Sequence, residues 1–251
     1  HIHAFSPLEI SHGANCANTD VKSYLLKLKE AGLNSLPGTA AEILDDNVRE
    51  IICPDKINTN EWLNVIKAAH SIGLPTTSTM MFGHVENYHD IAKHMHELKS
   101  LQLESNGITE FVPLPYVASE APMYLRGLSR SGPSFRESVL VHSISRIYLN
   151  ESIKNIQGSW VKMGYAGLSY LLDSGINDVG GILMNETITR SAGATHGQEL
   201  DLIYIKNIVE SKNMKLIERN TKYDLLKEPT KANFDKLKLK LKDINYFDQE
   251  R

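Results

Sequence analysis

Cysteine is nearly absent from this sequence: Cys16 and Cys53 are the two in 251 residues. They lie far apart and outside any paired motif. That excludes a disulfide-stapled scaffold and a zinc knuckle, and suits a reducing compartment such as the cytoplasm. No apolar run approaches the roughly 20 residues needed to span a bilayer. The first residues carry neither a basic nor an apolar targeting segment, so a soluble chain is expected. Neither sign of charge dominates, since 27 basic and 30 acidic residues leave a net charge of -3. Without a basic field there is no footprint for nucleic acid, and without an acidic block there is no solvating tail. The expected partners are small molecules.

What is present is the composition of a globular protein, 41% hydrophobic and 23% charged, enough for one barrel domain or two smaller ones. His1-Ile2-His3-Ala4-Phe5 alternates like a strand from the first residue, so the chain is expected to begin mid-fold. A helix over 19–31 stops at Gly32, and a short strand over 33–36 is closed by Pro37-Gly38. One helix is expected from Ala40. Another is expected from Asn58, with Glu61 three residues on in a capping-box arrangement, ending at Gly73. Strands follow at 76–82, 108–114, 155–161 and, more weakly, 179–183. Helical stretches lie at 88–103, 136–149 and 166–172.

Strand and helix alternate with no hairpin signal between the apolar runs, the pattern of a parallel sheet wrapped by helices. Polar residues follow nearly every strand instead of gathering at one switch point. That favours a (β/α)8 TIM-like barrel over an open doubly wound sheet. Six β/α units are visible, so the first two of eight are expected to be absent. The barrel is placed at 1–223 and a polar, lysine-rich tail at 224–251.

In such a barrel the ends of the strands and the loops after them face the substrate. The candidates there are Ser6 and Glu9, Thr39 and Glu42, Gly83, His84 and Glu86, then Glu110, Gln157, Trp160, Asn177 and Asn185. Glu42 and Glu86 have a structural alternative as carboxylates opening helices, each stabilised by about 0.3–1 kcal/mol at the positive end of the helix dipole. Glu110 lies between Ile108 and Phe111-Val112 on a strand. It either points into the lumen or breaks the pattern of the strand, and burying it unpaired would cost several kcal/mol. His1 and His3, at i and i+2, place both rings on one strand face. A metal-dependent amidohydrolase-like barrel uses such a pair, but the lysine or histidine of its middle strands and the aspartate of its last have no clean counterpart here. No metal ligand is assigned.

Taken together, "HIHAFSPLEI", "LNSLPGTAAEIL", "TTSTMMFGHVE", "ITEFVPLPY", "IQGSWVKMG" and "INDVGGILMNETITRSAGATHG" resemble, in order and spacing, a radical S-adenosylmethionine enzyme family. It is the family of the second FO synthase component (CofH type, or the C-terminal half of the fused enzyme), which makes the deazaflavin precursor of coenzyme F420. The aminofutalosine synthase of menaquinone biosynthesis is a close relative and the alternative. The resemblance runs from His1 to about Tyr223. Two features of the family are missing here: the three cysteines of its C-x3-C-x2-C motif, and the loop that holds the amino group of S-adenosylmethionine.

The resemblance implies a radical transferase that uses a 4Fe-4S cluster and S-adenosyl-L-methionine. A 5′-deoxyadenosyl radical would take hydrogen from L-tyrosine, and the released 4-hydroxybenzyl group would join 5-amino-6-(D-ribitylamino)uracil. The first FO synthase component would act in the same pathway, separately or fused. The family's adenine-contacting pattern G-x-I-x-G-x-x-E falls on residues 79–86, with Thr79 for the first glycine, Met81 in the apolar position, and Gly83 and Glu86 intact. Thr39 and Glu42 would neighbour the ribose and methionine parts. Glu110, His3 and Gln157 would serve catalysis, and Ser6, Glu9, His84, Trp160, Asn177 and Asn185 the substrates. Lacking the cluster motif, this chain by itself is expected to be inactive.

Overall fold

The computed structural model describes residues 1–181, 187–194 and 201–226. In chain order its elements are β1 (Ile2–His3), α1 (Pro7–Cys16), α2 (Val21–Glu30), β2 (Leu33–Ser35), α3 (Asp46–Ile52), α4 (Thr59–Ser71) and β3 (Thr76–Phe82). These are followed by α5 (Tyr88–Ser105), β4 (Ile108–Pro115), α6 (Pro122–Leu125), α7 (Phe135–Leu149), α8 (Trp160–Asp173), α9 (Ile188–Ser191) and α10 (Leu202–Ser211).

The strands pair in parallel and in sequential order. β1 pairs with β2, and β3 with β4. A parallel bridge between Leu36 and Thr76 joins the two pairs. Further parallel bridges carry the order on from Phe111 to Ile156 and from Gln157 to Asp178. Four strands and two further bridge positions thus run parallel and in sequence order, with helices between them. Among the described residues, β1 and the segment at 177–178 each have one strand neighbour.

Alternation along the strands sorts the two faces. Met80, Phe82, Phe111 and Ile156 are fully buried in one apolar cluster with Trp62, Leu98, Val141 and Leu168 of the surrounding helices. The period of two sends Thr77, Thr79, Met81 and Glu110 to the opposite, interior side. A second cluster of Ile10, Leu25, Leu33, Leu36 and Val65 seats α1, α2 and α4 on the first two strands. The capping box expected at Asn58 and Glu61 is present, and β3 has the bounds that its sequence implies.

Three expectations are corrected. No helix starts at Ala40. Residues 38–44 form a loop in which Ala40 and Glu42 hold φ of +57° and +46°, a hand no right-handed helix tolerates, and α3 starts at Asp46 under an Asp45 cap. Glu42 therefore opens no helix. The strand expected over 155–161 is shorter, because Ser159 caps α8 and Trp160 and Val161 are its first turn. The segment after β1 is a helix, α1, which the sequence reading took for a substrate loop. The sixth strand, expected over 179–183, runs outside the described residues beyond Gly181, as does the tail beyond Leu226.

Candidate active site

The loop after β2 lies along β3 and is pinned to it. Gly38 N donates to Thr77 Oγ1 (2.9 Å), and Thr79 Oγ1 donates to Gly38 O (2.9 Å). A β-carbon on Gly38 would fall 1.9 Å from Thr77 O, so the approach requires glycine. Beneath the loop the buried Arg49 donates to Ala40 O, Ala41 O and Ile43 O, and to Ile57 O. The Trp62 indole N–H donates to Thr39 O (3.0 Å). Glu42 pairs with Lys56 at 2.6 Å.

The turn after β3 is built on Glu86, whose side chain is fully buried. Its carboxylate accepts from Gly83 N (2.6 Å) and His84 N (2.9 Å), so it holds the turn from within. Arg130 Nη2 reaches the same carboxylate at 2.9 Å and Glu137 at 2.9 Å, tying the turn to α7. Gly83 has φ of +98°, and Pro133 Cδ would lie 2.1 Å from a β-carbon there. His84 is wholly buried, with Nε2 donating to Met81 O (2.9 Å) and Nδ1 accepting from Val85 N (2.8 Å). Burial lowers its pKa, against the opposing charge of Glu86. His84 is thus part of the turn and presents no nitrogen to a substrate, a correction to its expected role. Asn87, not Glu86, caps α5.

At the first strand, His1 and His3 do share one face. Their common partner is Ser35, with His1 Nε2 at 2.8 Å and His3 Nδ1 at 2.7 Å from its hydroxyl. Burial lowers the pKa of His3. Ser6 and Glu9 answer each other in a capping box on α1, with Glu9 Oε2 accepting from Ser6 N at 2.7 Å. Their polar atoms are thereby spent on a helix end, a correction to their expected substrate role.

Glu110 is buried, and its Oε2 oxygen meets three protein donors. Gln157 Nε2 donates to its Oε2 (2.9 Å), Arg219 Nη2 lies at 3.4 Å, and the Tyr223 hydroxyl donates to the same oxygen. Arg219 Nε also donates to Asp178, and its guanidinium lies over the Tyr223 ring at 3.9 Å. Burial pushes Glu110 above the usual carboxylate range and, reinforced by the Glu110 charge, pushes the Tyr223 phenol up as well. Glu110 is the third residue of β4, in the strand's first half, away from the loops that follow the strands. Gln157, Arg219 and Tyr223 are thereby tied to one buried oxygen of β4. A cavity of about 600 Å³ adjoins this network, walled by Leu202, Ile205, Val209 and Leu216 with Asp178 and Arg219 beside them.

Trp160 is buried at the start of α8, its indole donating to Gly181 O (3.3 Å) and its ring parallel to that of Tyr165. The Asn177 side-chain oxygen accepts from Ile156 N (2.9 Å) and Arg146 Nη2 (2.7 Å), which fastens the last strand to α7. Asn185 lies outside the described residues. Sequence reading missed Ser35, Arg49, Arg130, Arg219 and Tyr223. None belongs to a motif that the sequence displayed; Ser35, Arg130, Arg219 and Tyr223 act on residues remote in sequence, and Arg49 on a loop six to nine residues away.

The chain has no cluster-ligating set. Cys16 is exposed at the end of α1, and Cys53 is buried with its thiol pushed up by burial. Among the described residues no three His, Cys, Asp or Glu side chains gather to hold a metal. An iron–sulfur cluster does not fit the residues present. The loop after β2 and the turn after β3 stand at the ends of neighbouring strands, joined through the Leu36–Thr76 bridge.

Parallel strands in sequence order with helices between them are a β/α fold shared with a solved radical S-adenosylmethionine enzyme. The solved structure of methylornithine synthase (PylB) matches with a TM-score of 0.60 at 17% identity, over 87% of this chain and 59% of that one. Residues 6–98 match the radical SAM superfamily model. Residues 105–232 match the CofH/MqnC C-terminal region, and the chain belongs to that family. Its relatives include the 5-amino-6-(D-ribitylamino)uracil–L-tyrosine 4-hydroxyphenyl transferase of Methanocaldococcus jannaschii, 48% identical over 90% of this chain and 63% of that protein. The transferase of Methanopyrus kandleri is 45% identical over 90% of this chain and 62% of its own length. The FO synthase of Mycobacterium tuberculosis H37Rv is 43% identical over 90% of this chain and 26% of its own. The chain therefore spans less than two thirds of the length of these relatives.

Proposed function

We propose that this chain is the substrate-positioning part of a radical S-adenosylmethionine transferase. The enzyme would join the 4-hydroxybenzyl group of L-tyrosine to 5-amino-6-(D-ribitylamino)uracil in FO formation. The observation that carries this is identity of 45–48% over about nine tenths of the chain to proteins named for that transfer. The first FO synthase component is the proposed pathway partner. No helix among the described residues is long and apolar enough to cross a membrane, in keeping with a cytoplasmic enzyme.

S-adenosylmethionine, when bound, would supply the hydrogen-abstracting group, and the residues of this chain would bind and orient the reactants. Gly83 and Met81 would border the adenine, with Glu86 fixing the turn. Thr39 and Glu42 would line the ribose and methionine side, Thr79 serving through its hold on Gly38. His3, exposed beside Ser35, is the proposed contact to a substrate. Glu110 and Gln157 belong to closure of the barrel, and Trp160 and Asn177 to seating the last strand.

The test is complementation: in a transferase of this family carrying the cysteine motif, the segment equivalent to this chain is replaced by it. FO production from L-tyrosine and the diaminouracil supports the reading. Formation of an aminofutalosine product instead would move the chain to the menaquinone branch.

A further inference from the structure

The loop at 38–43 uses its backbone in one sense. All six carbonyls are taken within the protein. Thr79 Oγ1 binds Gly38 O, the Trp62 indole binds Thr39 O, and Met81 N binds Glu42 O. Arg49 takes those of Ala40, Ala41 and Ile43. Gly38 N is occupied by Thr77. The next five amides, of Thr39, Ala40, Ala41, Glu42 and Ile43, have no acceptor among the described residues. Thr39 is exposed and Ala40 and Glu42 are half-buried, so this run of donors is open to a ligand, with Ala41 and Ile43 buried within it.

The chain bears a conformational cost to hold this arrangement. Ala40 and Glu42 are left-handed while Ala41 between them is not. A non-glycine residue in that region costs of order 1 kcal/mol or more, and neither position carries the glycine or asparagine that would lower it. Alternating hand is the geometry in which successive amides converge on an anion. Charge agrees with it. Arg49 is 3% exposed and meets carbonyl oxygens, with no carboxylate partner among the described residues. Lys56 and Glu42 cancel each other, so the loop keeps one uncompensated positive charge.

We propose that the amides of residues 39–43 form a binding nest for a carboxylate, held in shape and polarised from behind by Arg49. One net positive charge suits one negative charge. The inference rests on the transferase reading, in which two reactants carry an α-carboxylate: L-tyrosine, and the methionine part of S-adenosylmethionine. Arg49 is a positioning residue here, since it touches the loop and not the ligand.

The experiment is amide proton–nitrogen NMR of the full chain, titrated with S-adenosylhomocysteine and with L-tyrosine. Each titration is repeated with the decarboxylated counterpart, tyramine in the second case. The expected result is a downfield shift of the 39–43 amides with one carboxylate ligand and none with its decarboxylated partner; which ligand acts identifies the source. Arg49→Lys keeps the charge but loses the planar fork that reaches the carbonyls of Ala40, Ala41, Ile43 and Ile57 together. It should weaken the carboxylate ligand by about ten-fold or more while leaving the decarboxylated one within about two-fold. Should that variant fail to fold, Lys56→Met serves, because it frees the Glu42 charge to repel the carboxylate and should weaken it several-fold. If acid and decarboxylated ligands move these amides alike, or leave them still while moving others, the nest is overturned and the transferase reading stands. If no ligand perturbs any amide, the transferase reading falls and the nest with it.

Discussion

Tyr223 donates its phenolic hydroxyl to the carboxylate of Glu110, 113 positions earlier in the chain. That bond, with Arg219 bridging Glu110 and Asp178, fastens the segment after α10 to the interior of the barrel. A carboxylate buried in mid-strand is tolerated because a segment from the far end of the chain supplies its partners.

Tyr223→Phe should therefore destabilise the fold by about 1–3 kcal/mol, the loss of one hydrogen bond to a carboxylate oxygen that keeps Gln157 and Arg219 as donors. Arg219→Met should cost about 3–5 kcal/mol, since it leaves two buried carboxylates facing each other. Urea denaturation measures both. Equal midpoints for Tyr223→Phe and wild type would show that the closure contributes nothing.

Glu86→Ala removes the acceptor of two turn amides and the partner of Arg130. It should cost roughly 3 kcal/mol of stability and weaken binding of S-adenosylhomocysteine. Calorimetric titration checks the second effect. Unchanged affinity would separate the turn from the adenosyl site.

Gly38→Ala should destabilise the chain by about 1–3 kcal/mol, because its methyl group meets the Thr77 carbonyl and the strand cannot retreat. Thermal unfolding measures it. A wild-type midpoint would mean that the loop can lift off β3, which would also undo the nest.

Acid should unfold this protein through its buried histidines. Burial lowers His94 to about 3 and His70 and His142 to about 4. Unfolded, each titrates near 6.5, so below that pH the unfolded chain binds protons that the folded one refuses. Their stability contribution is intact above pH 6.5 and is lost as pH falls toward 4, at about 1.4 kcal/mol per pH unit for each histidine. Urea midpoints measured between pH 7 and 4.5 should fall steadily, and less so in His70→Gln. A flat profile would contradict the burial of these rings.

Reconstitution of this chain with iron and sulfide should give no 4Fe-4S absorption and no reduced-state paramagnetic signal, since two remote cysteines cannot ligate the cluster. Detection of either would show ligation by other residues.

Local physics made much of this legible in advance. The cap at Asn58, the apolar run of β3 and the alternation of strand with helix depend on neighbours in sequence, so the parallel order of the strands could be read before any contact was known. The motif at 79–86 located the turn after β3 for the same reason. Local signals misled where tertiary partners outweighed them. Residues 40–44 read as helix, yet Arg49, Trp62 and Met81 draw their carbonyls aside and hold Ala40 and Glu42 left-handed. Ser6 and Glu9 read as substrate contacts when they were a capping box preceding α1.

The sequence by itself determined the barrel class, the order of its strands and the ends on which chemistry is placed, because these follow from periodicity and caps. Tertiary structure decided the fate of the polar side chains whose partners are remote. His84 is folded into a turn, Glu110 is enclosed by Arg219 and Tyr223, and the amides at 39–43 are left open. Whether a polar group is spent or free depends on partners up to 113 residues away, and no local pattern encodes them.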